Sequence, residues 1–406
     1  MASIIKNPDY RWWLLGDALA QLASGIQLFA LPLYAVTVAG SVALGGITAT
    51  IGLVAMAVCA LPGGVLADRV NRRILLVWQG LTGFVFGAAV VVAEWAGLMS
   101  VWVLTVLALL LGMRAGLFWS LTNTALKAVV EPEQLHEAMS ANQGRDAIIG
   151  LVAAPLGGLL FGIGLTLPFA ALAVLSLSTL LSAWRIRTSL HVVSEGGTFM
   201  GELMAGVRYA MGSEFLRSAI GVILLSNLAA NGMIMTVVLQ LQREGVSPLN
   251  IGLVEALLGL GLLVGAVLSP HVLKRFHGGM IVIVGAIWVT LTFGALVWSS
   301  DLAFVLPLML IGGIALAPVN AVLGGYLMAI VASSIQGRVQ SLVGLGGMAL
   351  SSVAPMIAGI GLASAGYPVT GLIFVFFFAV MLVLLISSTA IRSIPAANGW
   401  AEAAEP

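Results

Sequence analysis

Apolar residues run along this chain in long unbroken blocks, each ended by a cluster of basic, Gly, Pro or Asn residues. A helix needs ~20 apolar residues to cross the hydrocarbon core of a bilayer. Twelve blocks reach that length, near 12–37, 44–67, 74–93, 100–125, 138–163, 166–185, 216–241, 250–273, 279–299, 302–328, 339–365 and 367–391. Arg145 and Asp146 interrupt the fifth. Ahead of it, Glu131-Pro132-Glu133 puts Pro in a first helical turn, so that helix is expected to begin before its apolar part. No cleavable signal peptide is expected, because the first apolar run leads directly into the second. The pattern predicts an all-α membrane protein with twelve transmembrane helices.

Composition agrees and narrows the chemistry. Hydrophobic residues make up 60% of the 406 and charged residues 8%, with a mean hydropathy of +1.12. A soluble domain carries roughly a quarter of its residues charged. A net charge of +1 gives no basic field, so no nucleic-acid partner is expected. The lone Cys59 excludes an internal disulfide. His136, His191, His271 and His277 fall at or near loops without ligand spacing, so no metal site is expected. There is no Gly-rich phosphate loop ending in Lys and Ser or Thr, which excludes an ATP motor within this chain. No cofactor is expected, and an enzyme is not.

Basic residues set the orientation. Fourteen of the 17 Lys and Arg fall on one side of the alternating connections, among them Lys6, Arg11, Arg69, Arg72, Arg73, Lys274 and Arg275. Only Arg243 falls on the other, while Arg114 and Arg145 lie inside spans. By the positive-inside rule both termini are cytoplasmic, in the cell (inner) membrane. The one long connection carries Phe199, Met200, Leu203, Met204, Val207 and Met211 at helical spacing, which predicts an amphipathic helix on the cytoplasmic membrane surface. The expected organisation is a six-helix half over 1–185, a linker over 186–215, a second six-helix half over 216–391 and a tail over 392–406. The halves would be pseudo-symmetric, with the substrate site between them.

The most specific motif is Gly64-Val-Leu-Ala-Asp68-Arg69-Val-Asn71-Arg72-Arg73, after the second span. It resembles the signature loop of the major facilitator superfamily, with Asn71 where that family usually has Gly. Asn also tolerates a left-handed turn. The resemblance implies the major facilitator fold. It also implies that Gly64, Asp68, Arg69, Arg72 and Arg73 latch the cytoplasmic side, Asp68 capping a neighbouring helix and pairing with a base. A plain positive-inside loop would need the arginines but neither Asp68 nor Gly64. In the fifth span, Gly150, Pro155, Gly157 and Gly158 resemble the family's antiporter motif, with Ala154 in place of a Gly. Ordinary helix packing would also favour Gly and Pro there. Asn7-Pro8-Asp9-Tyr10-Arg11-Trp12, Leu135 to Asn142, and Gln336-Gly337-Arg338-Val339 are similar to segments of twelve-span drug:proton antiporters, the branch of macrolide efflux and enterobactin-type siderophore exporters. The resemblance implies efflux driven by protons, with a monomer as the working unit.

An ion at the bilayer centre costs at least ~2.5–3.5 kcal/mol, so charges inside spans are functional candidates. Glu255 is the first candidate proton carrier and Asp17 the second. Arg114 matches a position the family links to proton coupling, or else pairs with Asp17 or Asp146. Arg145 and Asp146 diverge by ~100° around a helix and need not pair with each other; one or the other is expected to join the latch around Asp68 and Arg69. The substrate cavity, lined in this family by spans one, four, seven and ten, would hold Gln21, Gln27, Phe118, Trp119, Asn123, Asn227, Asn231 and Asn320. Alternatively Asn227 and Asn231 bond between helices. Few charges and several aromatics suit an amphiphilic organic substrate. The expected partners are therefore that substrate, protons and the lipid bilayer. Two other readings stand beside proton-driven export: an uptake carrier or uniporter for a neutral nutrient, and a non-transporting membrane sensor or enzyme.

Overall fold

A computed structural model of the chain describes residues 4–188, 190, 199–331 and 333–400. His191 and residues 401–406 lie outside the described residues, as do the side chains of Asn123, Phe199, Met200 and Leu203. The helices are α1 (Pro8–Ala39), α2 (Val42–Arg69), α3 (Arg72–Trp95), α4 (Val101–Leu117), α5 (Leu121–Val129), α6 (Leu135–Ile163), α7 (Leu167–Arg185) and α8 (Phe199–Gly212). They continue with α9 (Glu214–Arg243), α10 (Pro248–Arg275), α11 (Gly278–Ala295), α12 (Leu302–Ile330), α13 (Ser333–Ser351), α14 (Ala354–Ser364), α15 (Gly366–Ser387) and α16 (Thr389–Arg392).

Among the described residues eleven segments are long and apolar enough to span a membrane, and the chain is an integral membrane protein. The span expected at 100–125 is divided. Its apolar part, α4, has 17 residues and gives way after Phe118 to the separate α5. The span expected at 339–365 is also interrupted, between α13 and α14. Pro355 in the first turn of α14 explains this break, since a proline ring clashes with the carbonyl four residues earlier and offers no N–H. Most helix starts follow short polar residues. Ser41, Ser100, Ser213 and Asp301 each accept a backbone N–H at the first turn of α2, α4, α9 and α12. Gly40 ends α1 with φ 62°, a conformation other L-residues rarely adopt.

The chain divides into two compact units, residues 1–196 with 245–253, and residues 197–244 with 254–406. In the first unit α2 and α4 meet backbone to backbone. A Cβ on Gly63 would collide with the Leu117 and Gly116 carbonyls, and one on Gly112 with Gly52. The second unit repeats the device between α10 and α12, where Gly261 faces the Leu310 carbonyl and Gly313 faces that of Leu258. Without a hydrophobic drive between helices in lipid, such close approach supplies the packing. At one end of the first unit Tyr10, Trp13, Leu75, Leu76, Leu121, Leu126 and Ile186 form a buried cluster beside the arginine-rich turn. This is called the basic end below. At the opposite end the Tyr34 hydroxyl donates to Glu94 at 2.6 Å, joining α1 to α3. On α8, Met204 and Met211 are exposed, two turns apart on one face.

Candidate functional site

The most densely charged buried site lies inside the first unit, between α1, α5 and α6. Asp17 is 8% exposed, two turns into α1. Its Oδ2 stands 2.7 Å from Arg145 Nη2 on α6, and its Oδ1 accepts the Thr122 hydroxyl of α5 at 2.8 Å. Arg145 also donates from Nε and Nη2 to Asp146 Oδ1, at 3.0 and 2.8 Å. The guanidinium lies 5.7 Å from the centre of the Trp13 ring, one turn before Asp17. One cation is thus shared between a buried carboxylate and an exposed one.

Arg145 thus pairs with Asp17 of α1, and among the described contacts neither it nor Asp146 meets Asp68 or Arg69. Arg145 and Asp146 pair although adjacent, since the long arginine side chain curls back over the ~100° that separates them. Beside the pair, α1 and α6 part to leave a groove of about 500 Å³ lined by Ala18, Leu19, Leu22, Gly144, Arg145 and Ile148. Its walls are aliphatic apart from Arg145. Farther along, α1 and α6 close up where Gly25 meets Ala153.

Arg114 is 4% exposed and points the other way, into α3. Its Nε and Nη2 donate to the Gln79 carbonyl at 3.2 and 3.1 Å. Neither Asp17 nor Asp146 pairs with it, so the expected alternative of an ion pair with either is overturned. Gly83 makes this possible: a Cβ there would collide with Ser176 Oγ and stand 2.6 Å from Arg114 Nη2.

At the signature loop, Asp68 and Arg69 are exposed in the last turn of α2, and Gly64 is half-buried. Among the described residues Asp68 has no hydrogen-bond or ion-pair partner, so it caps no helix within its unit. The cap of α3 is Asn71, whose Oδ1 accepts from the Arg73 N–H at 2.9 Å. Its φ of −53° is ordinary, so the tolerance of Asn for a left-handed turn is not used. Arg73 Nη2 donates to the Ile186 carbonyl at 2.6 Å and the Thr188 carbonyl at 3.3 Å. Asp9 accepts from the Arg187 and Thr188 N–H groups at 3.1 and 2.8 Å. Nothing in the sequence marked Asp9, Thr122 or Thr188 for these contacts, since their partners lie over a hundred positions away.

The antiporter-like motif is a packing seam. Gly157 lies against Phe29 and Ile26, and a Cβ on Gly158 would collide with the Pro248 carbonyl in the segment 245–253 of the same unit. Gly150 has open space around it, and Pro155 sits inside α6.

The cavity candidates divide. Gln21 is half-buried and Gln27 buried on α1. Phe118 packs against the apolar cluster at the basic end, whereas Trp119 is 59% exposed. On α9, Asn227 and Asn231 are exposed, and each donates to the carbonyl four residues back, at 2.9 and 2.8 Å. They bond to their own helix, not between helices as the alternative reading had it. Asn320 is exposed on α12. In the second unit Glu255 is half-buried on α10, and among the described residues it has no hydrogen bond or ion pair. No group of three or more metal-ligating side chains gathers among the described residues.

Residues 13–198 match the family model of the Major Facilitator Superfamily. No curated protein matches the sequence. Among solved structures, the nucleoside transporter NupG superposes with a TM-score of 0.70 at 13% identity, over 94% of this chain and 100% of that one. A D-xylose-proton symporter gives 0.69 at 16% identity, over 95% and 98%. A bacterial homologue of the iron transporter ferroportin in its inward-facing state gives 0.70 at 17% identity, over 94% and 98%. At these identities the likeness shows the fold, which is the major facilitator fold. Taken with the match over residues 13–198, it supports a membrane transporter of the major facilitator kind.

Proposed function

We propose that this protein is a secondary active transporter that exports amphiphilic small molecules in exchange for protons, in the manner of the drug:proton antiporter branch it resembles. The observation that carries the proposal is Glu255, a carboxylate inside a membrane-spanning helix with no described partner. Such a group can gain and lose a proton without breaking an ion pair. The mostly aliphatic groove beside Arg145 suits the apolar body of an amphiphile. Six spans on each side of the 186–215 linker rock about a site near the midplane, and protonation biases which side is open. Both termini lie in the cytoplasm of a cell whose inner membrane holds the protein as a monomer. The Gly64–Arg73 loop latches that side, with Asp68 and Arg69 as its free charges. Gln21, Gln27, Trp119, Asn227, Asn231 and Asn320 are the polar and aromatic contacts offered to the substrate.

The test uses purified protein in liposomes loaded with a pH-sensitive dye. Lipophilic cations, macrolides and siderophores are added under an imposed proton gradient. Substrate-dependent proton flux that disappears in Glu255→Gln is the expected result. Flux unchanged in that variant removes Glu255 as the carrier. Substrate movement without proton flux removes antiport. A second reading, uptake of a neutral nutrient, is favoured by the nucleoside and D-xylose carriers that share the fold. Nucleoside or pentose accumulation by the same liposomes decides for it.

A further inference from the structure

In each unit the chain that leaves the last long helix folds back and gives its carbonyls to the start of a helix. In the first unit the Leu190 carbonyl accepts the Arg72 N–H, the first of α3, at 3.2 Å. In the second, the Pro395 and Ile394 carbonyls accept the Gly278 and Gly279 N–H groups, the first two of α11, each at 3.1 Å. The first N–H groups of a helix have no partner within it. Asn71 caps α3 with its side chain, but His277 makes no side-chain cap on α11, and the returning chain takes that place.

Three further contacts fasten the second return. The Pro395 carbonyl also accepts the Trp400 indole N–H at 3.0 Å, so one carbonyl holds α11 and Trp400 together. The Trp400 ring meets Tyr326 of α12 at 6.0 Å, and Tyr326 meets Phe215 of α9 edge-on at 5.0 Å. Trp400 lies on Gly325, where a Cβ would stand 2.6 Å from its ring. Gly278 and Gly279 are equally bare: a Cβ on either would collide with Ile394 or with the Arg392 carbonyl. A Cβ on the neighbouring Gly324 would meet nothing within 4 Å, so no side chain braces α12 there, and two successive glycines make Gly324-Gly325 a weak point in the helix.

We propose that Ser393–Trp400 is a strap that binds the starts of α9 and α11 and the end of α12 into one block and restrains the bending of α12 at Gly324-Gly325. This goes beyond the transport reading and depends on neither the substrate nor protons.

The experiment uses the full chain in lipid nanodiscs. Amide hydrogen exchange is followed at the start of α11, and thiol labelling is followed at a cysteine replacing Asn320, with Cys59→Ser as background. In Trp400→Ala, exchange at Gly278 and Gly279 is expected to rise about tenfold, as for the loss of one part-buried hydrogen bond and its ring contact. Labelling at position 320 is expected to change with it. Gly278→Ala, which improves intrinsic helix propensity, should give the same result by expelling the strap. Trp400→Phe keeps the ring contact but loses the indole bond, and should fall between. The Arg72 amide, held by the other unit's return, should not respond. Unchanged exchange in both Trp400→Ala and Gly278→Ala would overturn the strap. Faster exchange with labelling at 320 unmoved would overturn its restraint of α12.

Discussion

Asp17 in the first unit and Glu255 in the second each lie in a helix long and apolar enough to span a membrane, and their surroundings differ in kind. Asp17 sits against Arg145, Thr122 and, through that arginine, Asp146. Glu255, on α10, has no described hydrogen bond or ion pair. Burial alone does not separate them. What separates them is what a proton would disturb: at Asp17 it would break an ion pair and leave the guanidinium to Asp146, and at Glu255 it would break no described contact. The contrast reverses the usual inference that the more elaborate polar site is the working one. A carboxylate held in an ion pair argues for a fixed charge that joins α1 to α6, and an unpaired one argues for a changeable charge.

Breaking the pair should give the largest effect. Arg145→Ala leaves Asp17 buried with Thr122 as its sole partner. Loss of one member of a buried pair costs about 3–5 kcal/mol, read as a fall in the thermal unfolding midpoint in detergent. The double variant Asp17→Asn with Arg145→Gln should recover most of that loss. If Arg145→Ala were as stable as the parent protein, Asp17 would become as free as Glu255 and the contrast would collapse.

Arg114 offers a third case, a buried cation whose described partner is a backbone carbonyl. Gly83→Ala places a methyl where Arg114 Nη2 and Ser176 Oγ now lie. Overpacking of this sort costs about 1–3 kcal/mol. A neutral result in the same unfolding assay would show that Arg114 has a second resting place.

Glu255→Gln sharpens the comparison from the other side. With no partner to lose, its stability should stay within about 0.5 kcal/mol of the parent, while substrate-dependent proton flux disappears. A large loss of stability would reveal a partner and move Glu255 into the class of Asp17. Smallest of all is Asp68→Asn, an exposed change expected to leave the unfolding midpoint in place and to slow turnover in liposomes. Unchanged turnover would reduce the loop to a set of positive-inside charges.

The helices were legible because lipid imposes a length and a composition that few other settings share, and because Ser41, Ser100, Ser213 and Asp301 mark their starts. Pro355 in principle also gave away the break between α13 and α14. The partners of the buried charges were not legible. Choosing between Arg114 and Arg145 for Asp17 requires knowing which face each helix turns to α1, and apolar blocks with little periodic contrast do not report it. Arg73 and Asp9 show the same limit. Each lies in a segment that resembles the family, yet its contacts depend on where residues 186–188 return.

The glycine seams between α2 and α4 and between α10 and α12 also bear on how this protein can change over generations. Glycine has no smaller replacement, so every missense codon at Gly63, Gly112, Gly261 or Gly313 adds atoms to a contact between backbones. Drift at these positions therefore runs in one direction, toward separation of the helices. A library of all single substitutions should show these seams as bands of intolerance within otherwise permissive apolar stretches, with alanine already harmful. Lipid-facing leucines and valines on the same helices should exchange freely.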